Sequence, residues 1–155
     1  MIRNIISSKH TDYSTFIQCD CGREILNFYY YKETTTCEEI ICVDYFGYLD
    51  KKEDIYKKQF SFTISTLLKF IQDLESTQNL KEFESEYEDR GSYLTLRKNE
   101  FKFYTICKYA NKKSLKLNRA IWDIAIRPPE ILELISELKK LLSTIMEEKY
   151  SKEEV

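Results

Sequence analysis

The chain has 155 residues, 43% of them hydrophobic and 32% charged, with a formal net charge of −2. That length fits one domain, which buries roughly 70% of the surface its unfolded form exposes. No apolar run approaches the ~20 residues of a membrane span, and so small a net charge by itself selects neither nucleic acid nor a membrane surface. Five cysteines, an odd number, suit a compartment where thiols stay reduced. The opening MIRNIISSKH lacks the apolar core of a secretory signal, so a cytoplasmic protein is expected.

Residues 1–12 read as a mobile tail. Residues 14–20 and 24–31 read as two strands around Cys21-Gly22, a tight hairpin. Residues 37–46 form a third strand, with Ile40, Cys42 and Phe46 on one face and Ile41, Val43 and Tyr45 on the other. Both faces are apolar, which marks a central strand and leaves Asp44 in need of a partner. After Gly47 and the charged stretch from Asp50 to Lys58, Phe60 and Phe62 open a fourth strand. Ser65 or Thr66 is placed to cap the helix that follows, whose Leu67, Leu68, Ile71 and Leu74 share one face.

Between residues 82 and 88, Glu82, Glu84, Glu86 and Glu88 alternate with Phe83, Ser85 and Tyr87; strand and frayed helix both remain open. Residues 92–98 and 101–109 flank Asn99-Glu100 as a second hairpin. Residues 117–126 form a strand carrying the single tryptophan, Trp122, and Pro128-Pro129 ends it, because proline suits a first helical turn. The final helix bears Ile131, Leu132, Leu134, Ile135, Leu138, Leu141, Leu142 and Ile145 as a wide stripe. From about Glu147 the chain turns polar, and residues 148–155 are expected to fray.

An internal repeat organises these elements. Residues 59–74 lie over residues 123–138 without a gap, at an offset of 64. Phe60 and Phe62 then fall on Ile124 and Ile126, and Leu67, Leu68, Phe70, Ile71 and Leu74 on Ile131, Leu132, Leu134, Ile135 and Leu138. Alternating apolar residues followed by apolar residues at helical spacing mean a strand running into a helix, twice. The expected fold is α+β: one domain over residues 1–155, made of two pseudo-repeated units of antiparallel strands followed by a helix packed on the sheet. The first unit spans about 14–76 and the second about 92–148, with no Pro/Ser/Gly-rich linker between them.

Few residues point to chemistry. His10 stands near a chain end without groups to orient it, and Gly22, Gly47 and Gly91 are too few for a phosphate-binding loop. No catalytic constellation and no cofactor is expected, so the protein reads as a non-enzyme. Cys19, Cys21, Cys37 and Cys42 supply thiols enough for a tetrahedral zinc. Their spacing argues against one, since Cys37 and Cys42 point to opposite faces of a regular strand; small buried cysteines are the plainer reading.

Basic charge is concentrated: residues 97–127 carry nine Lys and Arg against Glu100 and Asp123. Lys102, Tyr104 and Lys108 share one face of the expected strand, with Arg97 and Lys98 nearby. A cationic sheet face bearing an aromatic ring suits single-stranded nucleic acid, charge tracking phosphates and rings stacking on bases. Two copies of several strands plus a helix also resemble the layout of the Whirly-type single-strand binders, which implies the same ligand. The acidic run Glu82–Asp89 reads first as a solvated connector; the alternatives are imitation of phosphates toward a basic partner and pairing with the basic segment of another copy in a homo-oligomer. The segment FIQCDCGREILNF, through Cys19, Cys21, Gly22 and Glu24, resembles the opening of small uncharacterised cytosolic proteins of low-GC Gram-positive bacteria and their phages. That resemblance implies a phage or mobile-element setting.

The first expectation is therefore a non-catalytic interaction protein that binds a macromolecule, most simply a protein, through a basic sheet face. Single-strand binding and a zinc-stabilised module are the alternatives.

Overall fold

The computed structural model describes residues 2–7, 14–21, 24–32, 39–47, 59–101 and 103–153. Strands β1 (Ile2–Ser7), β2 (Ser14–Cys21), β3 (Glu24–Lys32), β4 (Glu39–Gly47) and β5 (Phe60–Thr63) form one antiparallel sheet in chain order. Helix α1 (Ile64–Ser76) follows, extended by a 3-10 turn at Thr77–Asn79. Strands β6 (Phe83–Asp89), β7 (Ser92–Lys98), β8 (Tyr104–Tyr109) and β9 (Trp122–Ile126) make a second antiparallel sheet, with the short helix α2 (Lys112–Lys116) between β8 and β9. Helix α3 (Pro128–Glu153) closes the chain. The fold is α+β, as the alternation of periods predicts.

Local rules account for most boundaries. Thr63, rather than Ser65 or Thr66, caps α1: its Oγ1 accepts the Thr66 N–H at 3.1 Å. The ambiguous Glu-rich segment is strand β6, because Phe83, Ser85, Tyr87 and Asp89 turn one way and the glutamates the other. Arg90 and Gly91, both at positive φ, form the two-residue turn into β7 that the strand twist favours. Two predicted tails carry regular structure: Ile2–Ser7 pairs with β2, and α3 runs on to Glu153.

The repeat extends to strand register. In the first sheet Phe28, Val43 and Phe60 sit side by side, as do Tyr30, Ile41 and Phe62. In the second sheet the matching rows are Leu96, Ile106, Ile124 and Lys98, Tyr104, Ile126. Leu67, Phe70, Ile71 and Leu74 of α1 are buried, and so are their counterparts Ile131, Leu134, Ile135 and Leu138 of α3. Leu68 and Leu132 correct the predicted stripes: they are 43% and 57% exposed, roughly 60° beyond the edge of the buried arc in both copies.

Contacts between the halves obey a pseudo-two-fold axis. Lys139 Nζ lies 3.1 Å from Glu75 Oε2, and Lys139 is the repeat counterpart of Glu75. A residue touching its own counterpart is what an axis between two copies requires. Other contacts come in exchanged pairs: β5 meets β6 while β9 meets β2, and α1 meets β6 while α3 meets β2. Each helix thus reaches across to the other half's sheet. One hydrophobic cluster runs from Leu26 to Ile145 through both halves, with Phe60, Phe62, Phe70 and Tyr87 in edge-on or tilted ring contact at its centre.

Equivalent substitutions are expected to behave alike. Leu74→Ala and Leu138→Ala, at fully buried counterpart positions, should each cost about 2–5 kcal/mol in urea denaturation. Leu68→Ala and Leu132→Ala should stay within about 0.5 kcal/mol of the parent. A large cost at either exposed leucine would contradict the packing.

Candidate functional site

The second sheet turns most of the residues expected on a basic face into the interior. Tyr104, Lys108 and Lys98 are 1%, 5% and 9% exposed, because they alternate in register with Leu94, Leu96 and Ile106. Lys98 Nζ donates to the Thr77 carbonyl at 2.6 Å and stands 5.4 Å from the centre of the Tyr104 ring. It therefore caps the C-terminal end of α1, where unpaired carbonyls favour a cation. The Tyr104 hydroxyl hydrogen-bonds Thr77 Oγ1 at 2.9 Å and accepts from Gln78 Nε2 at 3.1 Å. Lys108 Nζ donates to the Gln59 carbonyl at the start of β5. Of the four predicted contact residues that are described, only Arg97 reaches the outer surface; Lys102 lies outside the described residues.

Along β6 the outer face carries the opposite charge, while the α2 connection over β7 and β8 exposes Lys112, Lys113 and Lys116. Glu84, Glu86 and Glu88 are exposed along β6, and Arg97 answers one of them, its Nε 3.2 Å from Glu84 Oε1. At the β7–β8 turn Phe101 and Phe103 are 73% and 46% exposed. Asn99 Oδ1 accepts the backbone N–H groups of both Phe101 and Phe103 at 3.0 Å. A groove of about 550 Å³ runs from Phe83 and Asn99 at the tip to Arg97 and Thr105.

Arg97 and Thr105 also line a second cavity, of about 400 Å³, bounded by Cys107, Asn118, Ile121 and Asp123. Its roof is the α2 connection, held down by one side chain. Asn118 Oδ1 accepts from the Tyr109 hydroxyl at 2.9 Å and from Arg97 NH1 at 3.3 Å. Asn118 has φ 53°, a left-handed conformation that asparagine tolerates better than most residues. Burial alone would lower the Arg97 guanidinium, but Tyr109, Glu84 and Cys107 together hold it above its ordinary value. Burial raises the Cys107 thiol, against the opposing effects of Thr95 and Arg97, so little nucleophilic thiolate forms there. Thr95 Oγ1, beneath this face, makes no hydrogen bond of normal geometry, although it is near enough to Cys107 and Tyr109 to bias their titration.

On the first sheet the cysteines separate. Cys19 and Cys21 stand two apart on β2, Cys42 is on β4, and Cys37 lies outside the described residues. Cys42 is buried with its Sγ 3.9 Å from Ser61 Oγ, and burial raises its thiol. Among the described residues no group of three or more His, Cys, Asp or Glu is placed to hold a metal ion. Asp44, expected to need a partner, accepts from Gln59 Nε2 at 3.0 Å, and the same nitrogen donates to the Tyr29 hydroxyl at 3.0 Å.

Sequence reasoning missed α2, Asn118 and the exposed tip. A signal for α2 was present: Asn111 precedes Lys-Lys-Ser-Leu-Lys, and its Oδ1 accepts the Ser114 N–H at 2.8 Å as an N-cap. No protein-family model matches the chain, and no curated protein matches it.

The buried Lys108 gives a pH signature. Burial lowers its ammonium below 10.5, with Asp89 opposing. Between that depressed value and 10.5 the unfolded chain binds more protons than the native one, so this group's contribution to stability rises with pH. Lys108→Met should remove that rise. Chemical-denaturation midpoints of the parent and Lys108→Met that keep a constant difference across the alkaline range would refute the assignment.

Proposed function

We propose that this is a non-catalytic interaction protein that binds a macromolecular partner through the tip and outer face of β6–β8. The observation that carries the reading is the pair Phe101 and Phe103, 73% and 46% exposed on a turn where Asn99 accepts both backbone N–H groups. Aromatic side chains are the usual anchors of protein interfaces, and the two hydrogen bonds to Asn99 restrain the backbone at both phenylalanines. The neighbouring Glu84, Glu86 and Glu88 set the partner's chemistry: a protein segment that places Lys or Arg beside an apolar cleft. Phosphates would meet these carboxylates unfavourably, and Lys98 and Lys108 face the core, so along β6 and the tip nucleic acid is the weaker reading; the exposed lysines of α2 lie over β7 and β8 instead. No helix among the described residues is long and apolar enough to cross a membrane, and the free thiols Cys42 and Cys107 support a cytoplasmic setting for the interaction.

Displayed peptides selected on the immobilised full chain test this, with the double variant Phe101→Ser, Phe103→Ser as comparison. The expected winners carry Lys or Arg beside Phe or Leu and bind the variant at least about tenfold more weakly, as loss of an anchor implies. Equal binding to both proteins would overturn the reading. So would tighter binding of a single-stranded oligonucleotide than of any selected peptide, with affinity falling steeply as salt rises.

A further inference from the structure

The two halves share strand register, and on the outer faces of the sheets one set of equivalent positions differs in kind. Tyr29 on β3, Asp44 on β4 and Gln59 before β5 correspond to Arg97 on β7, Cys107 on β8 and Asp123 on β9. In the first half these groups satisfy one another, with Gln59 Nε2 bridging the Tyr29 hydroxyl and Asp44 Oδ1 at 3.0 Å each. In the second half the counterparts of Tyr29 and Gln59 are oppositely charged. Arg97 turns toward Glu84 and Asn118, and no ion pair of Asp123 occurs among the described residues. Between them lies the cavity of about 400 Å³ under the Asn118-pinned connection.

We propose that this cavity binds a small zwitterion of amino-acid type, with its carboxylate on Arg97 and its ammonium on Asp123. Such a ligand supplies in the second half the polar bridge that Gln59 supplies in the first. The volume falls in the range of small-molecule pockets, roughly 300–1,000 Å³. Two strand spacings and a two-residue offset along the strand, roughly 12 Å in all, separate the Arg97 and Asp123 backbones, and an extended arginine side chain narrows that gap to the span of an amino acid. The planar guanidinium fork fits a carboxylate. Its present ion pair is one-third exposed on the arginine side and 56% on the Glu84 side, so exchanging Glu84 for a ligand carboxylate costs little. Ile121 and Ala120 on the rim present apolar surface to the ligand's side chain. The site is separate from the Phe101 tip, although Arg97 and Thr105 border both the tip groove and the cavity.

The full chain, titrated with free amino acids at millimolar concentration by thermal shift and by NMR, tests the proposal. A subset should raise Tm and give saturable shifts confined to β7–β9 and the 110–121 connection. N-acetylation or conversion to the carboxamide should weaken those ligands at least about tenfold, the effect of losing one charge-assisted contact. Asp123→Asn, an exposed and structurally mild change, should erase the preference for a free ammonium over the N-acetyl form. Arg97→Lys, which keeps the charge without the fork, should weaken the carboxylate preference. Absence of any saturable response would overturn the proposal. So would equal affinity for the blocked ligands, or binding unchanged by Asp123→Asn.

Discussion

Each sheet presents one apolar face, and it is covered by reaching across the pseudo-two-fold axis. Helix α1 leaves β5 and sets its far end on the second sheet, where the Thr77 carbonyl meets Lys98 and the Thr77 hydroxyl meets Tyr104. Helix α3 leaves β9 and packs against β1 and β2. Asp73 of α1 fixes the crossing by accepting from Ser85 at 3.0 Å and from the Tyr87 hydroxyl at 2.6 Å. The exchange makes a single core of two units, because removing either helix would uncover the partner's apolar rows as well as its own. The ion pair between Glu75 and Lys139 marks the axis without contributing much, since both groups are half exposed.

Within that symmetric frame the second half departs from the first at interior places occupied by tyrosine. Lys98 stands where Tyr30 stands, and Lys108 where Tyr45 stands. The second pair does similar spanning work. Tyr45 crosses to the other half by stacking on Trp122, ring centres 4.9 Å apart, while Lys108 crosses at the equivalent place to the Gln59 carbonyl. A buried ammonium is tolerable there because a carbonyl receives it and the four-carbon stem packs as a hydrophobe. The cost is chemical: the cations leave the surface, and the outer side of β6–β7 is left to glutamates, one arginine and the aromatic turn.

The same comparison locates the cavity. Where the first half closes its outer polar groups through Gln59, the second half sets Arg97 and Asp123 on either side of an open volume. Duplicated architecture acts as an internal control, since the packing requirement is common to both copies and the difference is local to a few side chains. Neither charge is needed for the core, so the divergence belongs to the surface chemistry of the second half.

Much of the fold was legible in the chain. Period-two alternation running into helical spacing, repeated at an offset of 64, marked the strand-to-helix units, and proline chemistry placed the second joint. These are local signals that neighbouring residues decide among themselves. The facing of Tyr104, Lys108 and Lys98 was not local: alternation separates two faces of a strand, but only the sheet and helix packed against it say which face is inside. Lysine reads as exposed until a carbonyl from a distant element is found within its reach, and Gln59 and Thr77 are 49 and 21 residues away. The cavity is likewise set by tertiary structure, because Arg97, Asn118 and Asp123 come from three separate segments and meet only when the 110–121 connection folds back over the sheet.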